Sequence, residues 1–283
     1  MNKCFFVSDL HGKTSRYEKL FKKIATDIPS AVFFGGDLLP SGFQISNVEY
    51  KDFFNDFIQK NFLHLQKEMG DNYPEIYLIL GNDDPKSEEV RFKEAEEKGL
   101  WKYMHMRKIT IGKWNIYGYS NVPPTPFLYK DWERYDVSRY VDPGCVPPTE
   151  GKRSVITNED IEFASIKKDL EKLCGDDKLE NAIMLFHSPP YKTNLDRAAL
   201  DGKMVEHIPM DVHVGSIAIK EMIEERKPHI TLHGHIHEST SITGHWKDKI
   251  GTTTAFNAAT NKDELSIIIF DAEKIENAER ITL

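Results

Sequence analysis

The chain has few of the features that a secreted or membrane-embedded protein needs. Its 283 residues include only three cysteines, Cys4, Cys145 and Cys174, which lie far apart and form no CxxC pair. Cysteines of this number and spacing are typical of free thiols in a reducing compartment. The apolar runs, such as 4–7 and 267–270, are too short for a secretory signal or for the ~20 residues of a membrane span. We therefore expect a cytoplasmic protein with no membrane partner.

Positive charge is also in short supply. The 37 lysine and arginine residues are outnumbered by 45 aspartate and glutamate residues, which gives a formal net charge of −8. Such an acidic chain offers no broad basic surface for a polynucleotide backbone, so we expect no nucleic-acid partner. The net charge does not exclude a small phosphorylated substrate, because a local site can be positive within a negative protein. The sequence contains no P-loop, GxGxxG, HExxH or GxSxG motif, each of which marks another class of enzyme, and it leaves the oligomeric state open.

The apolar pattern of the first eighty residues predicts a β-α-β arrangement. Short runs of strand-forming residues at 3–8, 31–34 and 76–80 end abruptly in polar residues. The segments between them, 17–24 and 50–69, carry apolar residues at the i, i+3, i+4, i+7 spacing of one helical face. Strands that alternate with helices in this way lie parallel, with right-handed crossovers.

The pattern changes in the rest of the chain. Further elements are predicted as helices at 87–98 and 216–226 and strands at 108–111, 114–120, 182–186, 229–232, 252–256 and 265–270. Another helix is predicted to begin at Thr157, where Thr157 and Asp160 resemble a capping box, and Ser216 is predicted to be an N-cap. Residues 121–150 have no period, which indicates an irregular excursion. We predict one α/β domain over 1–283, with two sheets.

Polar side chains stand where the predicted strands end. Ligand sites of open α/β sheets lie outside the carboxyl ends of parallel strands, so these side chains can converge on one crevice. The seven residues are Asp9, His11, Asp37, Asn82, His187, His235 and His237. Two carboxylates, four imidazoles and one amide oxygen suit Mn, Fe, Zn or Co better than Ca or a cysteine-rich structural zinc site. Seven ligands are too many for one tetrahedral ion and about right for two ions that share a carboxylate.

These motifs, taken in order, resemble the calcineurin-like metallophosphoesterase family. The resemblance runs from residue 5 to residue 240 and rests on Asp9-x-His11, Gly36-Asp37, Gly81-Asn82-Asp83, His187 and Gly234-His235-Ile236-His237. It implies a four-layer α/β/β/α sandwich of two mixed β-sheets flanked by helices. It also implies a cofactor of two divalent metal ions. Mn(II) is the first expectation, with Fe, Zn, Co and Ni as alternatives.

The metal ligands implied by the resemblance fall into two sets that share one carboxylate. One set is Asp9, His11, Asp37 and His237. The other is Asp37, Asn82, His187 and His235, with Asp37 as the bridge. A hydroxide held between the ions would then attack phosphorus in line, with Asp37, Asn82 and Asp83 as the catalytic residues.

Residue 83 departs from the family pattern, which has a histidine after the asparagine to assist the departing oxygen. A carboxylate beside two cations should have a lowered pKa, so Asp83 is expected to be ionised and a poor general acid. General acid catalysis contributes typically ~10²–10⁴ in rate, so substrates with poor leaving groups would suffer most. We therefore expect a phosphodiesterase acting on a small or nucleotide substrate. Phosphomonoesterase, nucleotide pyrophosphatase and a non-catalytic scaffold with a residual metal site are the alternatives. Asp84 is predicted to be a turn residue and helix N-cap.

Substrate contacts are predicted outside the metal ligands as well. Arg134 and Arg139 lie in the excursion 121–150, which could form a lid or wall over the crevice, or pack elsewhere against the second sheet or another subunit. His233 is a candidate substrate contact, although its place next to Gly234 favours a buried or supporting role.

Overall fold

A computed structural model describes residues 1–41 and 50–283. Two six-stranded mixed sheets pack face to face, and helices cover the outer face of each sheet. This is the four-layer α/β/β/α sandwich that the family resemblance implies, so the expected fold class is confirmed. Within the described ranges, no helix is long and apolar enough to cross a membrane.

The first sheet contains the strands that the opening β-α-β pattern predicts. In chain order its strands are β1 (Cys4–Val7), β2 (Ala31–Gly35), β3 (Glu75–Ile79), β4 (Lys102–Tyr103), β13 (Ser266–Phe270) and β14 (Glu279–Thr282). Their order in the sheet is β14-β13-β1-β2-β3-β4. Strands β1 to β4 are parallel, whereas β13 and β14 run antiparallel to their neighbours. The carboxyl ends of β1, β2 and β3 therefore lie side by side.

The second sheet also has six strands, but its four parallel strands lie in the centre. In chain order its strands are β5 (Arg107–Ile111), β6 (Trp114–Tyr119), β7 (Ala182–Phe186), β10 (Ile230–His233), β11 (Lys247–Ile250) and β12 (Thr253–Asn257). Their order is β11-β12-β10-β7-β6-β5, and the two edge strands are antiparallel to their neighbours. A separate hairpin is formed by β8 (Met204–Val205) and β9 (Ile208–Pro209).

Helices connect these strands and close the two outer layers. They are α1 (Thr14–Asp27), α2 (Lys60–Met69), α3 (Glu89–Glu97), α4 (Ile166–Cys174), α5 (Ile217–Arg226) and α6 (Ser239–Thr243). A π-helical segment, Phe54–Gln59, leads into α2, and short 3₁₀ turns lie at Gly70–Asn72, Lys86–Glu88 and Ile275–Asn277.

Three apolar clusters hold the four layers together. Leu20 of α1 belongs to the cluster between the first sheet and its helices, and Leu170 and Ile219 belong to the one between the second sheet and α4 and α5. Between the sheets, the rings of Phe33 and Tyr77 stack with centroids 5.2 Å apart. Full burial of a side chain such as Phe33 contributes about 1.5–3 kcal/mol, so the sheets form a rigid base for the loops at their ends.

The predicted helix is present as α4, but the predicted start at Thr157 is wrong, because α4 begins nine residues later. Its N-cap is Ser165, whose Oγ accepts the Lys168 N–H at 3.3 Å. The Thr157 hydroxyl accepts the Glu159 N–H at 3.1 Å and thus closes only a local turn. Ser165 also pairs with Tyr135 of the excursion, so a contact distant in sequence sets the start of this helix.

Candidate metal centre

Loops that follow five parallel strands meet at one end of the sandwich. In the first sheet, the Asp9 N–H donates to Gly36 O at 3.0 Å and the His11 N–H donates to Asp37 O at 2.8 Å. In the second sheet, the Gly234 N–H donates to His187 O at 2.9 Å. These bonds join the loops after β1 and β2, and the loops after β7 and β10. Backbone hydrogen bonds alone therefore hold these loops next to one another.

Four of the predicted ligand residues have left-handed backbone conformations. The φ angle is 57° at Asp9, 48° at His11, 53° at Asp37 and 70° at His235. Such a conformation costs on the order of 1–3 kcal/mol at a residue other than glycine, and it is concentrated at functional sites. Here it turns the chain sharply after three of the strands, so that the side chains face one another.

The first ligand set converges on a single point. Asp9, His11, Asp37 and His237 each offer one ligand atom, and these atoms all lie within 4.8 Å of one another. The Nε2 atoms of His11 and His237 are 3.0 Å apart, and His237 Nε2 is 3.1 Å from Asp9 Oδ1. His11 Nε2 is 3.9 Å from Asp37 Oδ2. Asp9, His11 and Asp37 are buried and His237 is partly exposed, and the set could hold one metal ion.

The second predicted set lies on the other side of Asp37. His187 Nε2 is 3.3 Å from Asp37 Oδ2 and 3.0 Å from Asn82 Oδ1, and the His187 and His235 ring centroids are 5.1 Å apart. His187 Nδ1 donates to Gly35 O at 2.7 Å, since a carbonyl can only accept. In the neutral imidazole, Nε2 is therefore an acceptor that faces two acceptor oxygens. Three acceptors this close together require a proton or a cation between them.

The pKa values of the site reflect the same demand for positive charge. Burial alone would lower the pKa of His187, but the carboxylates of Asp37 and Asp9 raise it to about 10. Burial alone would raise the pKa of Asp9, but the hydrogen bond and the charge of His237 lower it. His235 has its pKa lowered to about 3, by burial and by the positive charge of His187. The donor set thus fits divalent cations, which would replace the proton on His187.

Glycines precede several of the ligands because there is no space for a Cβ atom. A Cβ on Gly81 would lie 2.3 Å from Asp37 Oδ1, and one on Gly234 would lie 2.5 Å from Asp9 Oδ2. The glycine of each Gly-Asn and Gly-His motif therefore lets one loop approach the carboxylate of another.

Asp83 lies at the edge of the site with its side chain 36 % exposed. Its N–H donates to Asp37 Oδ1 at 2.8 Å, and its Oδ2 is 3.6 Å from His11 Nδ1. In the protein alone, burial and the negative charge of Asp37 raise the pKa of Asp83 to about 7. The sequence predicted a lowered pKa for Asp83 because it placed two cations beside this carboxylate. The raised pKa applies to the protein without metals, and the lowered pKa to the protein with both metals bound.

Asp84 is not the helix N-cap that the sequence predicted. The 3₁₀ turn after it has Pro85 as its N-cap, and the Asp84 carboxylate instead accepts backbone N–H groups from Leu38, Leu39 and Gly81. Burial and the negative charge of Asp37 raise the pKa of Asp84 to about 7. Sequence reasoning missed this role, because two of the three donors are about 45 residues away.

The predicted substrate contacts already have partners within the protein. His233 is fully buried, with Nδ1 2.8 Å from Ser188 O and Nε2 2.8 Å from Thr231 Oγ1, so both ring nitrogens are engaged. This is the buried role that its position favoured, and it argues against contact with a substrate. The substrate contacts of the two arginines stay predictions, and their ion pairs count against them. Arg134 pairs with Glu159 and with Asp169, and Arg139 pairs with Glu162 at 2.8 Å.

The excursion nevertheless lies against the loop that carries Asn82. The Trp132 Nε1–H donates to Asp84 O at 2.8 Å, and Asp131 Oδ2 accepts the Lys86 N–H at 2.9 Å. Lys86 Nζ also lies 4.9 Å from the centre of the Trp132 ring. These contacts place residues 131 and 132 against the loop 82–86, and the lid or wall over the crevice stays a prediction.

Alanine substitutions separate the two predictions for the excursion. We expect Arg134→Ala to lower the melting temperature, because it leaves Asp169 and Glu159 without their cation, whereas Arg139→Ala should change stability by no more than about 0.5 kcal/mol. If the excursion binds substrate, Arg139→Ala raises KM while both metals stay bound. Unchanged kinetics together with an altered oligomer size would assign the segment to a subunit interface.

Carboxylates and imidazoles that converge at the ends of parallel strands are typical of proteins that bind divalent metals. The profile of the calcineurin-like phosphoesterase family matches residues 3–239, and the chain belongs to that family. Members of the family usually bind two divalent metals, and the four-residue cluster described above is a candidate for one of those sites.

Individual relatives support the fold. An uncharacterised protein from Methanocaldococcus jannaschii is 27% identical over 271 residues, which cover 95% of this chain and 91% of the relative. A crystal structure of a Thermus thermophilus protein superposes with a TM-score of 0.57 at 15% identity, covering 99% of this chain and 98% of the other. A dimetal phosphatase from Danio rerio gives a TM-score of 0.51 at 8% identity, with the same coverage.

Proposed function

We propose that this protein is a metal-dependent phosphodiesterase that acts on a small or nucleotide phosphate ester. The observation that carries the proposal is the placement of the Asp37 carboxylate. Its Oδ2 lies 3.9 Å from His11 Nε2 on one side and 3.3 Å from His187 Nε2 on the other. A carboxylate placed between two sets of donor side chains is what a pair of metal ions requires.

The residues of the chain have distinct tasks in this proposal. Asp9, His11 and His237 would hold one ion, Asn82, His187 and His235 would hold the other, and Asp37 would contribute to both. When bound, two divalent cations lower the pKa of water and stabilise the charge that develops on phosphoryl oxygens. Against two carboxylates they leave a net charge of about +2, which draws an anionic substrate into a negative protein. Mn(II) is the proposed metal.

The carboxylate of Asp83 favours a phosphodiester substrate over a phosphomonoester. It places a carboxylate beside Asp37 and His11, where relatives with the usual motif have an imidazole. A negative charge repels a dianionic monoester more strongly than a monoanionic diester. An ionised carboxylate also cannot protonate a departing oxygen, which affects poor leaving groups most.

Phosphomonoesterase activity is the second candidate, and one observation favours it. The Asp83 carboxyl group lies at the edge of the site with its side chain 36 % exposed, and its Oδ2 is 3.6 Å from His11 Nδ1. If it holds a proton when the metals are bound, it could act as the general acid that a monoester with a poor leaving group needs.

Hydrolysis of matched chromogenic esters decides between these functions. Metal-depleted protein is reconstituted separately with Mn, Fe, Zn, Co and Ni and assayed on a mono- and a diester with the same leaving group. We expect the highest kcat/KM for the diester with Mn(II). Faster hydrolysis of the monoester would favour the second candidate. Full metal loading without hydrolysis of either ester would contradict both.

Asp83→His gives a further prediction. Restoring an imidazole should raise monoester turnover relative to diester turnover, because a protonatable group returns near the leaving oxygen. The measurement is the ratio of the two kcat/KM values, with metal content determined in parallel. An unchanged ratio, or a shift toward the diester, would show that this account of Asp83 is wrong. Lowered metal affinity would instead identify Asp83 as a metal ligand.

A further inference from the structure

We propose that Asp84 is a positioning residue that holds the shared carboxylate of Asp37 in place relative to Asn82. This inference rests on the metal centre of the proposed function. It gives a role to a buried acidic residue whose side chain lies outside both ligand sets.

The Asp84 carboxylate is almost fully enclosed and is surrounded by backbone donors. The residue is 1% exposed. Oδ1 accepts the N–H groups of Leu38 and Leu39 at 2.9 and 2.8 Å. Oδ2 accepts the Gly81 N–H at 2.9 Å and lies 3.1 Å from the Leu38 nitrogen. A carboxylate with both oxygens occupied by peptide groups is rigid, because any rotation leaves a buried N–H without an acceptor.

These donors come from the two loops that must stay in register. Leu38 directly follows Asp37, beyond the end of β2, and Gly81 directly precedes Asn82, beyond the end of β3. Past the strand ends the sheet ladder no longer joins the two segments. The Asp84 carboxylate replaces that ladder with three side-chain-to-backbone bonds.

The same loop also fixes the orientation of the Asp37 side chain. The Asp83 N–H donates to Asp37 Oδ1 at 2.8 Å. With Oδ1 held in this way, Oδ2 is the oxygen that faces His11 and His187. Asp84 holds the loop from which the Asp83 N–H donates to Asp37. Asp84 therefore acts on the metal centre through Asp37, and its own side chain is not a ligand.

Asp131 provides a matched control on the other side of this loop. It is also buried, at 5% exposure, and its Oδ2 accepts the Lys86 N–H at 2.9 Å. Its Oδ1 accepts the Ser154 N–H at 2.8 Å. Asp131 thus ties the loop to the segment after the excursion rather than to the loop of Asp37.

The test compares Asp84→Asn with Asp131→Asn in the full chain. Each asparagine keeps the side-chain shape but replaces one acceptor oxygen by a donor, so both melting temperatures should fall. We expect Asp84→Asn to weaken Mn(II) affinity by about 10- to 100-fold, as loss of a supporting partner does at other metal sites. It should also change the magnetic coupling between the two Mn(II) ions in the electron paramagnetic resonance spectrum. Asp131→Asn should leave both quantities at wild-type values.

Equal losses of metal affinity in the two variants would overturn the inference, and so would wild-type affinity in Asp84→Asn. If Asp84→Asn does not fold, Asp84→Ser, which keeps one acceptor in a smaller side chain, is measured in its place against the same criteria. The wild-type protein separates this inference from the proposed function. Absence of two-metal binding in the wild type contradicts the proposed function, whereas normal binding in both wild type and Asp84→Asn contradicts only the role of Asp84.

Discussion

Replacement of Asp37 by asparagine should remove metal-pair binding and activity together. The Asp37 Oδ2 atom lies between His11 and His187, so two ions bound there would both depend on one carboxylate. The amide has no negative charge and offers only one acceptor atom. We expect a loss of at least ~10³-fold in kcat/KM, equivalent to about 4 kcal/mol of transition-state stabilisation. Elemental analysis of the purified variant and the diester assay measure the two effects.

Asp136→Asn is the control for this loss. Its carboxylate accepts the Ser216 hydroxyl and the N–H groups of Ile217 and Ala218 at the start of α5, so its replacement also disrupts partly buried hydrogen bonds, but away from the ligand sets. We expect lower stability but retention of both metals. Two tightly bound ions in Asp37→Asn would show that Asp37 is not the shared ligand.

Gly81→Ala should lower both activity and stability, because the added methyl group forces two loops apart. The added Cβ would lie 2.3 Å from Asp37 Oδ1 and 2.6 Å from the Asp37 backbone nitrogen, so the two loops must move apart. Overpacking of this kind costs typically ~1–3 kcal/mol of stability. A displacement on the order of 1 Å at a reacting centre can reduce the rate by ~10²-fold. We expect both effects, measured by thermal unfolding and by the diester assay with saturating Mn(II).

Gly112→Asn is the matched glycine variant. Gly112 has φ of 56° in the turn between β5 and β6, and no heavy atom from the described ranges lies within 4 Å of its added Cβ. Asparagine tolerates this conformation, so metal content and activity should stay at wild-type values. Full activity in Gly81→Ala would mean that the site does not need the observed separation of the two loops.

Much of the fold could be predicted, because the central strands are buried on both faces. Strands β2 and β7 are fully buried along their length, and both were predicted to within one residue from their unbroken apolar runs. Strands β4, β11 and β14 were missed. These are edge strands with mixed burial, so their sequences carry neither an apolar run nor a clean alternation. Their place in the sheets is set by neighbours that are distant in sequence.

The candidate site, like the fold, could be predicted only in part from the sequence. The seven candidate ligands lie within about four residues of strand ends, and parallel topology brings such positions together, so their convergence could be predicted from the sequence. The partners of Arg134 could not, because Glu159 and Asp169 meet it only through the path of the excursion. Likewise, the buried Arg16 donates to Asp9 O at 2.6 Å, a bond that links α1 to the site and that no spacing indicates.

Metal titration of the depleted wild-type protein tests the central claim most directly. Mn(II) is added in steps while bound metal and diester hydrolysis are followed in the same samples. If two donor sets share the Asp37 carboxylate, the metal-depleted protein should be inactive and the rate should reach its maximum at two ions per chain. Full hydrolysis without added metal, or a maximum at one ion per chain, would contradict the assignment of a two-metal phosphoesterase site.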